Sequence, residues 1–270
     1  MTQIIFNKKF IYGVVIFIVA LVLRLILYTV LMKDYTQGVT FYMGDSNVYQ
    51  KMSVNFLANH NFYASNIINM PLFSLTNEVF DSKAYMEQPI TFRTPGFPLF
   101  LAFIYKISGV KEYTAIFIQI FFASLTALLT YYLANILMDD VLVSLLSGLF
   151  VAFDVISITY SSYLATESMS AFLTLLSIIF LVIALKNKNV FYMFLSSVFL
   201  SSSTYVRPIT LYLPIFLVVP IIYIFWHEKK QLLLYISIFI LGFTVLSGAW
   251  VYRNYKGTGI PTFSVPFGDG

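Results

Sequence analysis

Apolar residues in this chain come in long unbroken runs, and the charges collect at the short polar joints between them. Seven such runs occupy residues 10–32, 113–138, 141–160, 166–185, 190–205, 208–226 and 232–251. At 1.5 Å per residue, about 20 helical residues cross a hydrocarbon core about 30 Å thick, so each run reads as a transmembrane helix. The pattern predicts an all-α polytopic membrane protein with seven transmembrane helices. An eighth apolar stretch, residues 95–108, holds about fourteen residues and reaches only about 20 Å, too little to cross. It reads instead as a helix lying on the membrane surface or re-entering it.

Parity supports that choice. If the eighth stretch crossed, Lys186, Lys188, Lys229 and Lys230 would all face outward. If it does not, they lie inside with Lys8 and Lys9, as the positive-inside bias prefers. The resulting topology has a large first outer loop, about residues 33–112, short outer turns near Ser161 and Arg207, and an outer stretch after Trp250. Within the loop, Pro95 suits the first turn of a helix and holds Arg93 just ahead of it. The first run contains Arg24 and is followed by no small-residue cleavage pattern, so it reads as a retained span rather than a removed leader.

Composition agrees and removes several chemistries. Of the 270 residues, 59% are hydrophobic and 10% charged, and there is no cysteine. Disulfides, thiolate metal sites and cysteine nucleophiles are therefore excluded. His60 and His227 fall on opposite faces of the expected topology, so neither a histidine metal centre nor a catalytic triad can be assembled from them. The chain lacks a Walker loop and a dinucleotide fingerprint, which argues against ATP-driven transport. No basic tract suggests a nucleic acid partner. With no internal repeat or soluble segment in view, residues 1–270 are expected to form one transmembrane domain.

Candidate chemistry gathers on the outer side. In "MGDSNVYQKMSVNFLANHNF", residues 43–62, Val48, Met52 and Phe56 recur at four-residue spacing behind Gly44, which predicts a surface-lying helix starting near Asp45. Asp45 can cap that helix or serve as a general base, and Tyr49 lies one turn along. Arg24, Asp154 and Glu167 sit within or at the outer ends of spans, where a charge needs a partner or a cavity. Arg207 precedes Pro208 at an outer turn. Arg253, beside Asn254, follows Trp250 on the side where the positive-inside bias disfavours it. Arginine's planar fork suits phosphate, so Arg93, Arg207 and Arg253 form a candidate phosphate-binding set.

In order along the chain stand "GDSNVYQKMSVNFL", "FRTPGFPLFLAF", "SSYLATESMSAFL", "YVRPITLYLP" and "WVYRNYKGTG". This order resembles the GT-C superfamily of membrane glycosyltransferases, specifically the group holding protein O-mannosyltransferases and lipid A aminoarabinose transferases. The resemblance implies a seven-span core with surface helices in its first outer loop. It also implies a polyprenyl-phosphate sugar donor, a lipid, glycan or protein acceptor, and inverting transfer on the extracytoplasmic face of the cell membrane. Asp45 then corresponds to the family's catalytic base and Glu167 to a recurring glutamate. Such relatives usually continue with more spans and often a soluble outer domain, whereas this chain stops at Gly270, as a fragment, a truncated gene product or a minimal form would. The residues name no certain cofactor; a divalent ion bridging Asp45 and the phosphate is compatible with them but not indicated by them. Two rival readings are a transporter or flippase of lipid-linked sugars, routed past Arg24, Asp154 and Glu167, and a truncated, inactive accessory subunit.

Overall fold

A computed structural model describes residues 2–36, 44–62 and 90–264. The described residues are all-helical, with no strand among them. They form α1 (Thr2–Thr36), α2 (Ser46–Asn59), α3 (Gly96–Ser108), α4 (Glu112–Met138), α5 (Val141–Phe153), α6 (Val155–Ser161), α7 (Glu167–Asn187), α8 (Val190–Val206), a 3-10 turn (Pro208–Tyr212), α9 (Leu213–Phe225) and α10 (Lys229–Thr258). Breaks fall where the sequence offers caps and stops. Asp140 accepts from the Val143 N–H and Asn189 from the Phe191 N–H, each satisfying one of the free amides that open a helix. Pro208 ends the α8 register, and Gly259 closes α10 in the left-handed conformation at φ 76°.

Among the described residues, five helices are long and apolar enough to cross a membrane: Lys8–Lys33 within α1, α4, α7, Pro208–Phe225 and α10. A sixth span arises if α5 and α6, bent by 50° at Asp154, act together. The run expected at 190–205 is α8, whose 17 residues extend only about 25 Å. The stretch expected as a surface helix at 95–108 is α3, shorter still with 13 residues, or about 20 Å. Of the expected outer loop, residues 37–43 and 63–89 lie outside the described residues.

The chain divides into two compact units, residues 1–43 with 111–179 and residues 44–110 with 180–270, so the boundary falls within α7. In the first unit, α1 packs on α4 and α5 around Ile16, Ala20, Ala127, Tyr131 and Ala152. α1 and α4 run antiparallel. Lys9 pairs with Asp139 at 2.9 Å at one end, while the Tyr28 hydroxyl donates to the Tyr113 carbonyl at the other.

In the second unit, α8 and α10 run parallel and close. Ser201 and Ser247 share a hydrogen bond of 2.9 Å, and a Cβ on Gly242 would meet the Ser197 hydroxyl at 2.3 Å. Small residues let the two backbones approach, as membrane helices require when no water drives them together. Lys188 and Glu228 pair at 2.7 Å where these two helices begin. At their opposite ends, Met52, Phe62, Ile90, Trp250 and Phe263 form a second core that gathers α2, the residue 90–95 stretch and the end of α10.

Candidate active site

The site grows from the stretch that leads into α3. The Ile90 N–H donates to the Phe62 carbonyl at 2.8 Å, and the Thr94 hydroxyl donates to the Val206 carbonyl at 3.3 Å. Gly96 then starts α3 against the end of α8. A Cβ there would stand 2.6 Å from the carbonyl of Tyr205 and 2.8 Å from the Val206 nitrogen, so only glycine allows this approach. α3 buries Phe97, Leu101 and Tyr105, while Phe103 and Ile107 on the opposite side are 67% and 73% exposed.

Asp45 occupies the N-cap position of α2, yet its side chain caps nothing. Its Oδ1 accepts a hydrogen bond from Arg93 Nη2 at 2.6 Å instead. The carboxylate and guanidinium are 47% and 24% exposed. A pair so open to solvent contributes about 0–1 kcal/mol to the fold, which leaves both charges available to a ligand. On the other edge of the guanidinium, Nη1 donates to the Phe92 carbonyl at 3.0 Å. Tyr49, whose N–H also bonds the Asp45 carbonyl, lays its ring edge-on to Phe97 at 5.3 Å and so pins α2 to α3.

Arg253 lies on the last turns of α10, which runs to Thr258 rather than ending near residue 251 as the sequence suggested. Its Nη1 donates to the Ile90 carbonyl and to Asn254 Oδ1, both at 2.9 Å, and its Nη2 to the Phe62 carbonyl at 3.3 Å. The guanidinium also stacks 4.5 Å over the Trp250 ring. Asn254, fully buried, donates to the carbonyls of Thr262 and Phe263, and the Ser264 hydroxyl returns to the Phe92 carbonyl. Arg253 and Asn254 thus tie the C-terminal turn to the backbone that carries Arg93. Arg207 joins α8 to the 3-10 turn, its N–H on the Ser203 carbonyl and its own carbonyl accepting from Thr210.

The other three candidates belong to the first unit. Arg24 is fully buried, and its Nη1 and Nη2 donate to the carbonyls of Ala20, Val151 and Ala152 and to the Ser157 hydroxyl. These acceptors include the last carbonyls of α5, left unpaired by the bend. Asp154 caps the other side of the same bend through the N–H groups of Ile156 and Ser157. Glu167 opens α7 and receives a hydrogen bond from the Thr166 hydroxyl at 3.4 Å.

Lys51 escaped the sequence reading. It is only 1% exposed on α2, and burial pushes its ammonium down to about 8. Its place beside Val48 and Met52 on the helical wheel was the available signal. Among the described residues no cluster of three or more His, Asp or Glu has the spacing of a metal site.

The family model for dolichyl-phosphate-mannose-protein mannosyltransferases matches residues 95–254. The chain belongs to this family. No curated protein and no solved structure matches the chain. Membership marks a multi-pass membrane glycosyltransferase, from a family that draws sugar from a polyprenyl-phosphate-linked donor. The matched region takes in Asp154, Glu167, Arg207, Arg253 and Asn254, whereas Arg24, Asp45, Tyr49 and Arg93 precede it.

Proposed function

We propose that the chain transfers a sugar from a polyprenyl phosphate to a hydroxyl or amine acceptor on the extracytoplasmic face of the cell membrane, with inversion at the anomeric carbon. The observation that carries this reading is the 2.6 Å contact between Asp45 and Arg93, a candidate base and a candidate phosphate ligand brought together from opposite ends of the loop. Asp45 takes the proton from the acceptor O–H or N–H, and the acceptor atom bonds to the anomeric carbon. The bond from that carbon to the phosphate oxygen breaks on the opposite face, and its electron pair leaves with the phosphate. Arg93 balances the charge that develops there, and Arg207 is the second cation assigned to the phosphate. Arg253 acts on the same phosphate chiefly by holding the carbonyls of Ile90 and Phe62, and with them the backbone that presents Arg93. The acceptor is a lipid, a glycan or a protein. Arg24 has its terminal nitrogens on backbone carbonyls and a hydroxyl, so it anchors a bend, and this gives the flippase reading no particular support.

The test is transfer from a labelled polyprenyl-phosphate mannose in nanodiscs, with membrane lipid, glycan and Ser/Thr-peptide acceptors. Asp45→Asn should lower turnover by about 10²–10⁴, the usual contribution of a positioned base, with elution and melting unchanged. An asparagine variant that turns over at the wild-type rate removes Asp45 from the mechanism.

A further inference from the structure

We propose that the edge of Arg93 formed by Nε and Nη2 is a seat for two phosphate oxygens, held in this structure by a single oxygen of Asp45, so that donor binding itself releases the base. The proposal rests on the glycosyl-transfer reading. A guanidinium offers parallel N–H groups at Nε and Nη2, spaced to meet two oxygens of one anion. In Arg93 that edge is half used. Nη2 donates to Asp45 Oδ1, whereas Nε is enclosed and has no partner among the described residues. Nη1, turned to the Phe92 carbonyl, fixes the plane of the group, so the half-used edge keeps one orientation. A buried donor without a partner is costly, and a second oxygen on the same edge removes that cost.

A phosphate brings that second oxygen, and the single carboxylate contact does not. Exchange would therefore trade one hydrogen bond for two at Arg93 and return the lone pairs of Asp45 to the solution side. The freed carboxylate stays close, because the Asp45 carbonyl remains fixed by the N–H groups of Val48 and Tyr49 at the start of α2. Donor and base are thereby coupled: a phosphate on Arg93 frees the carboxylate oxygen that the guanidinium holds, which favours donor before acceptor by about the fivefold worth of an exposed pair.

The experiment measures binding of a sugar-free polyprenyl monophosphate to the whole chain in nanodiscs. Asp45→Asn removes the competing charge, and it should bind this probe about fivefold more tightly than wild type, the size of an exposed ion pair. Inorganic phosphate as a competitor should show the same gain, since the headgroup and not the chain meets Arg93. In Asp45→Asn/Arg93→Lys the gain should vanish, because lysine has no two-donor edge. Unchanged or weaker binding by Asp45→Asn would show that Asp45 orients Arg93 rather than occupying its seat. A gain confined to the lipid probe would place the effect in the tail and overturn the proposal as well. Sugar transfer by wild type without any tightening in Asp45→Asn sinks the exchange and leaves the transferase. Tightening in a protein that transfers no sugar to any acceptor keeps the seat and sinks the transferase.

Discussion

Arg24 and Lys51 are both enclosed cations, and their surroundings give them opposite consequences. Arg24 supplies hydrogens to carbonyls that the bend at Asp154 strips of helical partners, so its charge is used where it is buried. Arg24→Met should cost about 1–3 kcal/mol through the carbonyls it abandons, read as a lower melting temperature in detergent with the helical circular dichroism retained. Lys51 works against burial. Its ammonium titrates near 8 rather than the ordinary 10.5, so between those values the unfolded chain holds a proton that the folded chain lacks. Stability should accordingly rise as pH goes from about 8 toward 10.5, and the penalty is fully present below about 8. Lys51→Met, melted beside wild type across that range, should lose this part of the slope; identical slopes would show that Lys51 is well hydrated. At this scale the sequence revealed Asp45 as an acid ahead of a helix, but not its partner. Arg93 is 48 residues away, and only tertiary packing decides whether a carboxylate caps its own helix or reaches across.

Among the elements, α3 depends on one glycine and the α8–α10 pair tolerates more. Gly96→Ala would drive a methyl into backbone at 2.6 Å, and backbone cannot turn aside, so α3 should lift from α8. The expected cost is about 1–3 kcal/mol, together with loss of sugar transfer as Arg93 moves. Gly242→Ala meets a serine hydroxyl at 2.3 Å, which rotates away at the loss of one bond to the Phe194 carbonyl, so its melting temperature should fall by clearly less. Equal losses from the two substitutions would mean that the α3 start is not pinned as described. Apolar run length made the helices around the long spans legible. It could not foresee that α10 carries on through Arg253 to Gly259, because a polar tail such as "RNYKGT" looks like a loop until its side chains find carbonyls to hold. Nor did it show that α8 would be a short, serine-lined helix parallel to α10, since the small residues that permit that contact also lower its hydropathy.

For the whole molecule, family membership marks the class as membrane glycosyltransferase, and the sidedness of the membrane decides whether the proposed site can work. Within the second unit, α8 and α10 start together at Lys188 and Glu228 and run in parallel toward Arg207 and Arg253. The charged joints at residues 186–188 and 228–230 therefore share one end of the unit, and Asp45, Arg93 and Arg253 gather at the other. Lysine belongs on the cytoplasmic side, so the end that holds Asp45 and Arg93 should face out, toward the lipid-linked donor. The chain has no cysteine, which lets each introduced cysteine report alone. Ser46→Cys is buried and unsuitable, whereas Gly44→Cys and Lys256→Cys are exposed beside the site, and Asn187→Cys is exposed at the lysine end. In intact cells a membrane-impermeant maleimide should label positions 44 and 256, and position 187 should react only after the membrane is opened. Protection of position 44 in intact cells would separate the acid from its outer substrate and end the proposed reaction, because a headgroup on one face of a bilayer cannot meet a base on the other.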